Sequence, residues 1–220
     1  MKTRILGIAL AAGAAATASA DFATDFGVAS NGAGQLAVEF NFNAIEPIAN
    51  FAANGVAVGG PFDGLPVAGG FSGFFSDEPG FANFEEDEAD EGLFVVPDGT
   101  VVAFELISAS PAFTVYDLTF DNVVNPGENI ELGSVQRDAA GNVISGFDDH
   151  PWWTVDTDNP AYDENVFSYD LTFRLIDIRD DGTAGLAPTA PITVTFTRIP
   201  TPGTAALLGL AGLGAARRRR

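Results

Sequence analysis

Cysteine is absent from this chain of 220 residues, and histidine occurs once, as His150. Without cysteine the protein has no disulfide bridge, no thiolate nucleophile and no cysteine-ligated metal site. A single histidine excludes zinc sites built on two histidines and the two-histidine, one-carboxylate triad. The fold therefore has to be stabilised by burial of apolar side chains, for which the 19 phenylalanines are well suited.

Basic residues are scarce between residues 21 and 198, where lysine is missing and arginine occurs four times. All 30 acidic residues of the chain lie in this stretch, so its formal charge is −26. A polyanion repels nucleic acids and anionic lipids, and we exclude both as partners of residues 21–198. The same charge favours solubility and attracts divalent cations.

Familiar catalytic motifs are missing from the sequence, including G-x-S-x-G, H-E-x-x-H and phosphate-binding glycine loops. A glycosidase-like pair of carboxylates can be assembled on paper from Asp149, Asp156 or Glu164. With 30 acids, however, some pair falls within range by chance, and no nucleophile, base and orienting group can be assigned. We expect a protein that acts by binding or structure and not an enzyme; a secreted hydrolase is the least favoured alternative.

The amino terminus, residues 1–20, has the pattern of a Sec-type signal peptide. Two basic residues precede an apolar run from Ile5 to Ala16. Ala18 and Ala20 then form an A-x-A cleavage site before Asp21. We predict that signal peptidase removes this segment and that the mature chain begins at Asp21.

The carboxyl terminus, residues 199–220, consists of a proline-rich start, thirteen small or apolar residues and an arginine cluster. The start and the cluster are formed by Pro200, Thr201, Pro202, Gly203, Arg217, Arg218, Arg219 and Arg220. A bilayer-spanning helix needs about 20 apolar residues, so the run is short for a plain membrane anchor. The arginines favour the cytoplasmic side of a membrane and resist translocation.

The order of these three parts resembles the PEP-CTERM sorting signal. The resemblance covers residues 199–220 alone, and Thr201 stands where the family usually has glutamate. It implies that an exosortase, a membrane peptidase of bacteria with two membranes, recognises the tail while it is in the membrane. It also implies that the protein is bound for the cell envelope surface or the extracellular matrix. The alternative is a C-terminal membrane anchor.

Between the two termini, the recurring period of apolar residues is two. Residues 36–42, 167–175 and 192–196 alternate apolar with polar side chains and predict half-buried strands. Val101 to Ile107 is nearly continuously apolar and predicts a central strand buried on both faces. The alternation slips by one residue between Val115 and Tyr116, where we expect a β-bulge.

Turn-forming residues separate these segments, and no internal window keeps a helical period for three turns. We predict one all-β domain at residues 21–198, an antiparallel β-sandwich of the jelly-roll or immunoglobulin-like kind, with helical targeting segments at both ends. Residues 44–80 are rich in glycine, alanine and proline and are expected to form long connections. The pentapeptide Tyr-Asp-Leu-Thr-Phe occurs at 116–120 and at 169–173, which we attribute to a shared strand pattern and not to duplication.

Six acids in seven residues form the sharpest candidate metal site: Glu85, Glu86, Asp87, Glu88, Asp90 and Glu91. Carboxylate oxygens are the ligands that Ca²⁺ requires, and Ca²⁺ is therefore a possible cofactor of this loop. The alternative is a solvated loop without metal. A second acidic run, Asp177 to Gly182, has an arginine at a ligand position and Pro188 where an EF-hand has glutamate, so we reject an EF-hand there.

Aromatic residues gather after two aspartates and the single histidine, in the stretch that contains His150, Trp152, Trp153 and Tyr162. Exposed tryptophan and tyrosine rings stack on sugars while nearby aspartates bind hydroxyl groups, so this stretch is a candidate ligand surface for an extracellular polysaccharide. The alternative, which we favour, is that one tryptophan fills the core and that Asp148 or Asp149 holds His150.

Overall fold

The computed structural model describes residues 25–40, 45, 48–51, 57–58, 73–180 and 185–198. The regular elements of this part of the chain are strands, and none of its residues belongs to a helix that could cross a membrane. The strands are β1 (Phe26–Ser30), β2 (Leu36–Glu39), β3 (Ala49–Phe51), β4 (Ala57–Val58), β5 (Gly73–Ser76), β6 (Phe81–Asn83), β7 (Val101–Ala109), β8 (Phe113–Tyr116), β9 (Val123–Val124), β10 (Asn129–Ser134), β11 (Gln136–Arg137), β12 (Val143–Ser145), β13 (Asp148–Asp149), β14 (Trp152–Asp156), β15 (Ser168–Asp177) and β16 (Ile192–Thr197). The expectation of an all-β protein is confirmed for this part.

The described strands form several sheets. Two have four strands, in the orders β13-β6-β1-β2 and β10-β7-β15-β16, one has six in the order β4-β3-β5-β14-β8-β9, and β11 pairs with β12. Neighbouring strands in these sheets are antiparallel, except β1 and β6, which run parallel. Residues 44–80 were expected to be connections, yet β3, β4 and β5 lie there. These strands are too short to show an alternating pattern.

The alternating segments form the predicted half-buried strands where the structure describes them. Along β15, Tyr169, Leu171, Phe173 and Leu175 are buried, and β16 buries Val194 and Phe196. β7 lies between β10 and β15 and buries three consecutive residues from Val102 to Phe104. The one polar interruption of β7, Glu105, pairs with Arg174 on β15 through two hydrogen bonds of 2.9 Å.

The β-bulge expected at Val115 and Tyr116 is wrong, because β8 ends at Tyr116 and a turn follows. The carboxylate of Asp117 accepts backbone hydrogen bonds from Thr119 and Asp121, each 3.1 Å long. The side chain of Asn122 donates another, at 2.7 Å. The apparent slip in the alternation is therefore the end of a strand.

The two Tyr-Asp-Leu-Thr-Phe pentapeptides adopt different structures. The second copy lies within β15, whereas the first ends β8 and enters the Asp117 turn. Burial alone would raise the pKa of Asp117, but the hydrogen bonds from Asn122 and Thr119 lower it to about 2. Asp170, the equivalent residue of the second copy, is exposed on the strand. The difference agrees with our view that the repeat is not a structural duplication.

The last residue of β15, Asp177, has a carboxylate that contacts three segments of the chain. The side chain of Asp177 is 0% exposed and lies 2.6 Å from Nη2 of Arg179. It also accepts hydrogen bonds from the backbone N–H of Leu186, at 2.9 Å, and of Val101, at 3.4 Å. The first carboxylate of the acidic run thus links the end of β15 to the start of β7 and to Leu186, which lies before β16.

Replacement of this carboxylate, Asp177→Asn, is expected to lower the free energy of unfolding by roughly 3 kcal/mol at pH 7, because it removes the negative charge that lies 2.6 Å from the largely buried guanidinium of Arg179. Burial alone would raise the pKa of Asp177, but hydrogen bonds from Arg179 and Leu186 lower it below the usual 3.8. The stabilisation is therefore complete above pH 3.8 and is lost as the pH falls through the lower pKa of the folded state.

Urea unfolding at several pH values checks this expectation. The difference between the wild type and Asp177→Asn should shrink below pH 3.8. The exposed neighbour provides a matched control, Asp180→Asn, which should change the unfolding free energy little at pH 7. A difference that stays constant down to pH 2 would contradict the assignment.

Candidate functional site

Three strand ends meet at one edge of the sheet β13-β6-β1-β2. β1 and β6 run parallel with Phe26 opposite Phe81, so the residues that precede them, Asp25 and Gly80, lie at the same edge. β13 is antiparallel to β6 and ends at this edge, which brings the next residue, His150, to the same place. The pairing of strands thus gathers residues from three distant parts of the chain.

The side chains of Asp25, Glu78 and His150 form what we call the edge cluster, and one potential ligand atom of each lies within 4.8 Å of the others. His150 Nδ1 is 3.0 Å from the carbonyl oxygen of Asp77 and 3.7 Å from Glu78 Oε1. His150 Nε2 is 3.1 Å from Asp148 Oδ1. A carbonyl and a carboxylate only accept hydrogen bonds, so both ring nitrogens carry a proton in this arrangement.

Backbone contacts hold the segment that supplies Glu78. Trp153 donates its indole N–H to the carbonyl oxygen of Pro79 at 3.1 Å, and the N–H of Gly80 donates to Asp25 Oδ1 at 2.8 Å. A side chain at Gly80 would place its Cβ 2.5 Å from the ring of His150. Glycine at this position therefore lets the imidazole lie against the backbone.

Hydrogen bonds do not satisfy all the carboxylate oxygens in and beside the edge cluster. Burial, a hydrogen-bonded contact with Asp25 and the charge of Asp25 raise the pKa of Glu78 to about 7. Burial also raises the pKa of the neighbouring Asp77. Asp77 Oδ1 and Glu78 Oε2 are buried, and neither is hydrogen-bonded within the described part of the chain. Such oxygens require a proton or a cation.

The imidazole of His150 partly compensates these carboxylates. Burial alone would lower the pKa of His150, but the hydrogen bond to the Asp77 carbonyl and the charges of Glu78 and Asp25 raise it. The hydrogen bond to Asp148 acts in the same direction. A single positive charge therefore faces several carboxylates, and the cluster has the character of a cation site.

The acidic loop is fully on the surface: Glu85, Glu86, Asp87, Glu88, Asp90 and Glu91 are all exposed. Glu88 and Glu91 approach Glu39 from β2, and the three carboxylates could share a cation. Asp87 instead accepts a 2.9 Å hydrogen bond from the backbone N–H of Val95 and closes the loop. Calcium binding by this loop stays a prediction.

The residues predicted to form one ligand surface lie in different environments in the structure. Trp153 is 0% exposed and lies in the core, as the alternative interpretation proposed for one tryptophan. Asp148 holds His150, also as that interpretation proposed. Tyr162 is half-buried, with the guanidinium of Arg198 5.4 Å from its ring centre. Of the two tryptophans, only Trp152 keeps partial exposure.

Trp152 belongs to an aromatic group on the other face of β14. Its ring stacks on Phe75 at 5.7 Å and meets the edge of Phe120 at 5.3 Å. Tyr116 lies opposite Trp152 on β8 and stacks on Phe120 at 4.6 Å. Tyr116, Phe120 and Trp152 are each half-buried, and we call them the aromatic group.

Sequence reasoning singled out His150 as a candidate site residue, but it did not single out Asp25 or Glu78. No local pattern links Asp25 with His150, because their contact depends on the parallel pairing of β1 with β6. The predicted signal peptide and sorting tail lie outside the described residues. Comparison of the chain with models of protein families, with curated proteins and with solved structures found no match in any of the three.

The two tryptophans are expected to differ strongly in their effect on stability. Trp153→Ala should lower the free energy of unfolding by about 3–5 kcal/mol, because it opens a cavity in the core and leaves the Pro79 carbonyl without its donor. Trp152→Ala should cost roughly half as much or less, since its ring is only half-buried. Urea unfolding followed by circular dichroism measures both, and equal losses would contradict the assignment.

Proposed function

We propose that this chain is an exported protein displayed at the cell envelope surface or in the extracellular matrix, where it has a structural or adhesive role. The observation that carries the proposal is the tail at residues 199–220, whose order of prolines, short apolar run and arginines resembles a sorting signal. In this proposal, signal peptidase and an exosortase-like peptidase act on the chain in turn, and the tail holds it in the membrane only before processing.

The contacts of the arginines in the described part of the chain support a role in which the protein presents an anionic surface. Arg174 and Arg179 pair with Glu105 and Asp177. The remaining two, Arg137 and Arg198, donate to backbone carbonyl groups of Val95 and Val166, among others. The four arginines between residues 21 and 198 therefore bind within the fold, and the surface carboxylates are left to solvent cations. Such a surface suits a hydrated matrix component.

We further propose that the sheets pack face to face as an antiparallel β-sandwich. Trp153 of the six-stranded sheet lies 5.4 Å from Phe196 and 5.8 Å from Phe104, which belong to the sheet β10-β7-β15-β16. Phe113 from β8 contacts the same Phe196 at 5.1 Å. These ring contacts join the inner faces of two sheets, as a sandwich core requires.

Mass spectrometry of the mature protein tests the sorting proposal in a bacterium that has an exosortase. We expect a chain that begins at Asp21 and lacks Arg217 to Arg220, recovered from the envelope or matrix. Replacing the four arginines by glutamine should abolish processing, because the stop in the membrane depends on their charge. Thr201→Glu restores the residue usual in the family and should be processed at least as well as the wild type.

Two outcomes contradict this proposal. A mature protein that still ends at Arg220 in that host would show that the tail is an anchor and not a processed signal. Recovery of the chain from the cytoplasm with residues 1–20 intact would show that it is not exported at all.

A carbohydrate-binding module is the second candidate function, favoured by the aromatic group. The half-buried ring of Trp152, with Tyr116 and Phe120 beside it, offers apolar ring surface on which a sugar ring could stack. Glycan-array binding by the full chain should disappear in Trp152→Ala and persist in Trp152→Phe, which keeps an aromatic face. Binding that is unchanged in Trp152→Ala would remove this candidate.

A further inference from the structure

We propose that the edge cluster is a binding site for a borderline divalent cation of the Zn²⁺ type. Its ligands would be the carboxylates of Asp25 and Glu78, Nδ1 of His150 and the backbone carbonyl oxygen of Asp77. The proposal does not depend on the export or display of the protein, because it rests on the described residues alone.

The distances in the edge cluster are close to those of a coordination shell. Bonds of about 2.1 Å from Zn²⁺ to nitrogen or oxygen place tetrahedral ligands roughly 3.4 Å apart. His150 Nδ1 is 3.0 Å from the Asp77 carbonyl oxygen and 3.7 Å from Glu78 Oε1, on either side of this value. The Asp25 carboxylate lies within 4.8 Å of both side chains. Small rotations of side chains would therefore complete the shell.

Buried carboxylate oxygens in the edge cluster and beside it, on the neighbouring Asp77, supply a second reason for a cation. Glu78 Oε2 and Asp77 Oδ1 are buried, and no hydrogen bond to either is found within the described residues. The ligand oxygens of Glu78 and Asp25 lie within 4.8 Å of each other, and two ionised carboxylates can only accept hydrogen bonds, so a proton or a cation has to lie between them. A divalent cation supplies a positive charge there and replaces the proton on Nδ1, which passes to solvent.

The groups around the edge cluster match those that orient metal ligands in proteins. Asp148 faces Nε2 of His150 at 3.1 Å, so it can accept the ring proton while Nδ1 binds the metal. The N–H of Gly80 donates to Asp25 and fixes that carboxylate. The side chains of His150 and Glu78 are 27% and 22% exposed, so a cation can reach the edge cluster from solvent.

The acidic loop gives a comparison within the same chain. Two residues of this loop form a second possible cation site together with Glu39 of β2. This site consists of three exposed carboxylates, Glu39, Glu88 and Glu91, and it has no imidazole. Ca²⁺ prefers six to eight oxygen ligands, whereas Zn²⁺ accepts a nitrogen ligand in a shell of four. We therefore expect Zn²⁺ to bind at the edge cluster in the presence of excess Ca²⁺ or Mg²⁺.

The single histidine makes a direct test possible on the full wild-type chain. The imidazole ¹H and ¹⁵N signals belong to His150 alone, since the sequence has no other histidine. Titration with Zn²⁺, in 100-fold excess Mg²⁺, should shift the Nδ1 signal and saturate at one equivalent, while Nε2 keeps its proton. Imidazole signals that do not change on addition of one equivalent of Zn²⁺ would overturn the proposal.

Zn²⁺ affinity of variants, measured by isothermal titration calorimetry, tests the ligand set. Glu78→Gln and His150→Gln should each weaken binding at least 100-fold. Asp148→Asn should weaken it 10- to 100-fold, as expected for a residue that orients a ligand. The matched control is Glu88→Gln in the acidic loop, which should leave the affinity unchanged.

Thermal unfolding without metal, recorded for each variant, separates lost ligation from lost folding. The side chain of Asp148 is 68% exposed, so Asp148→Asn is expected to fold even if a variant of the inner residues does not. Equal Zn²⁺ affinity in the wild type, Glu78→Gln and Asp148→Asn would overturn the proposal. In that case, a proton and not a metal balances the carboxylates of the edge cluster.

Discussion

Burial of Trp153 is the interaction on which the described fold depends most. Its ring contacts Phe104 and Phe196 in one sheet and Phe81, 6.4 Å away, in another. In a chain without cysteine, such apolar contacts have to supply the stability that disulfides give to many other proteins. The indole N–H also binds the carbonyl of Pro79, so the same side chain fixes the segment that carries Glu78. The packing of the core and the position of Glu78 in the candidate site therefore depend on the same side chain.

The electrostatic organisation of the protein follows from its shortage of basic residues. The arginines of residues 21–198 are engaged by Glu105, Asp177 and backbone carbonyl groups, so they do not neutralise the surface. Exposed carboxylates are stabilised by water and by mobile cations, and they need no partner. Carboxylates at the edge cluster are partly buried, and there the same excess of negative charge calls for a proton or a bound cation. Burial, and not the number of acids, separates the two kinds of site.

The sequence-based expectations for strands held where the pattern was long and failed where it was short. The alternation over 167–175 predicted β15 well, because each buried side chain of a strand is two residues from the next. The slip after Val115 was wrongly interpreted as a β-bulge. In a sequence, the end of a strand at an aspartate turn interrupts the apolar alternation in the same way as a bulge does. The tryptophans could not be assigned individually, because neighbouring strand residues face opposite sides and the pattern does not say which side is covered.

The sequence by itself determined the all-β character, the absence of disulfides, the anionic surface and the patterns of the two termini, since these follow from composition and local order. Tertiary structure alone decided which of the 30 acidic residues lie together in the edge cluster. Asp25, Glu78 and His150 meet because β1 and β6 pair in parallel while β13 pairs antiparallel with β6. Strand pairing over such distances leaves no trace in local periodicity, so a contact across 125 residues of chain became visible only in the folded protein.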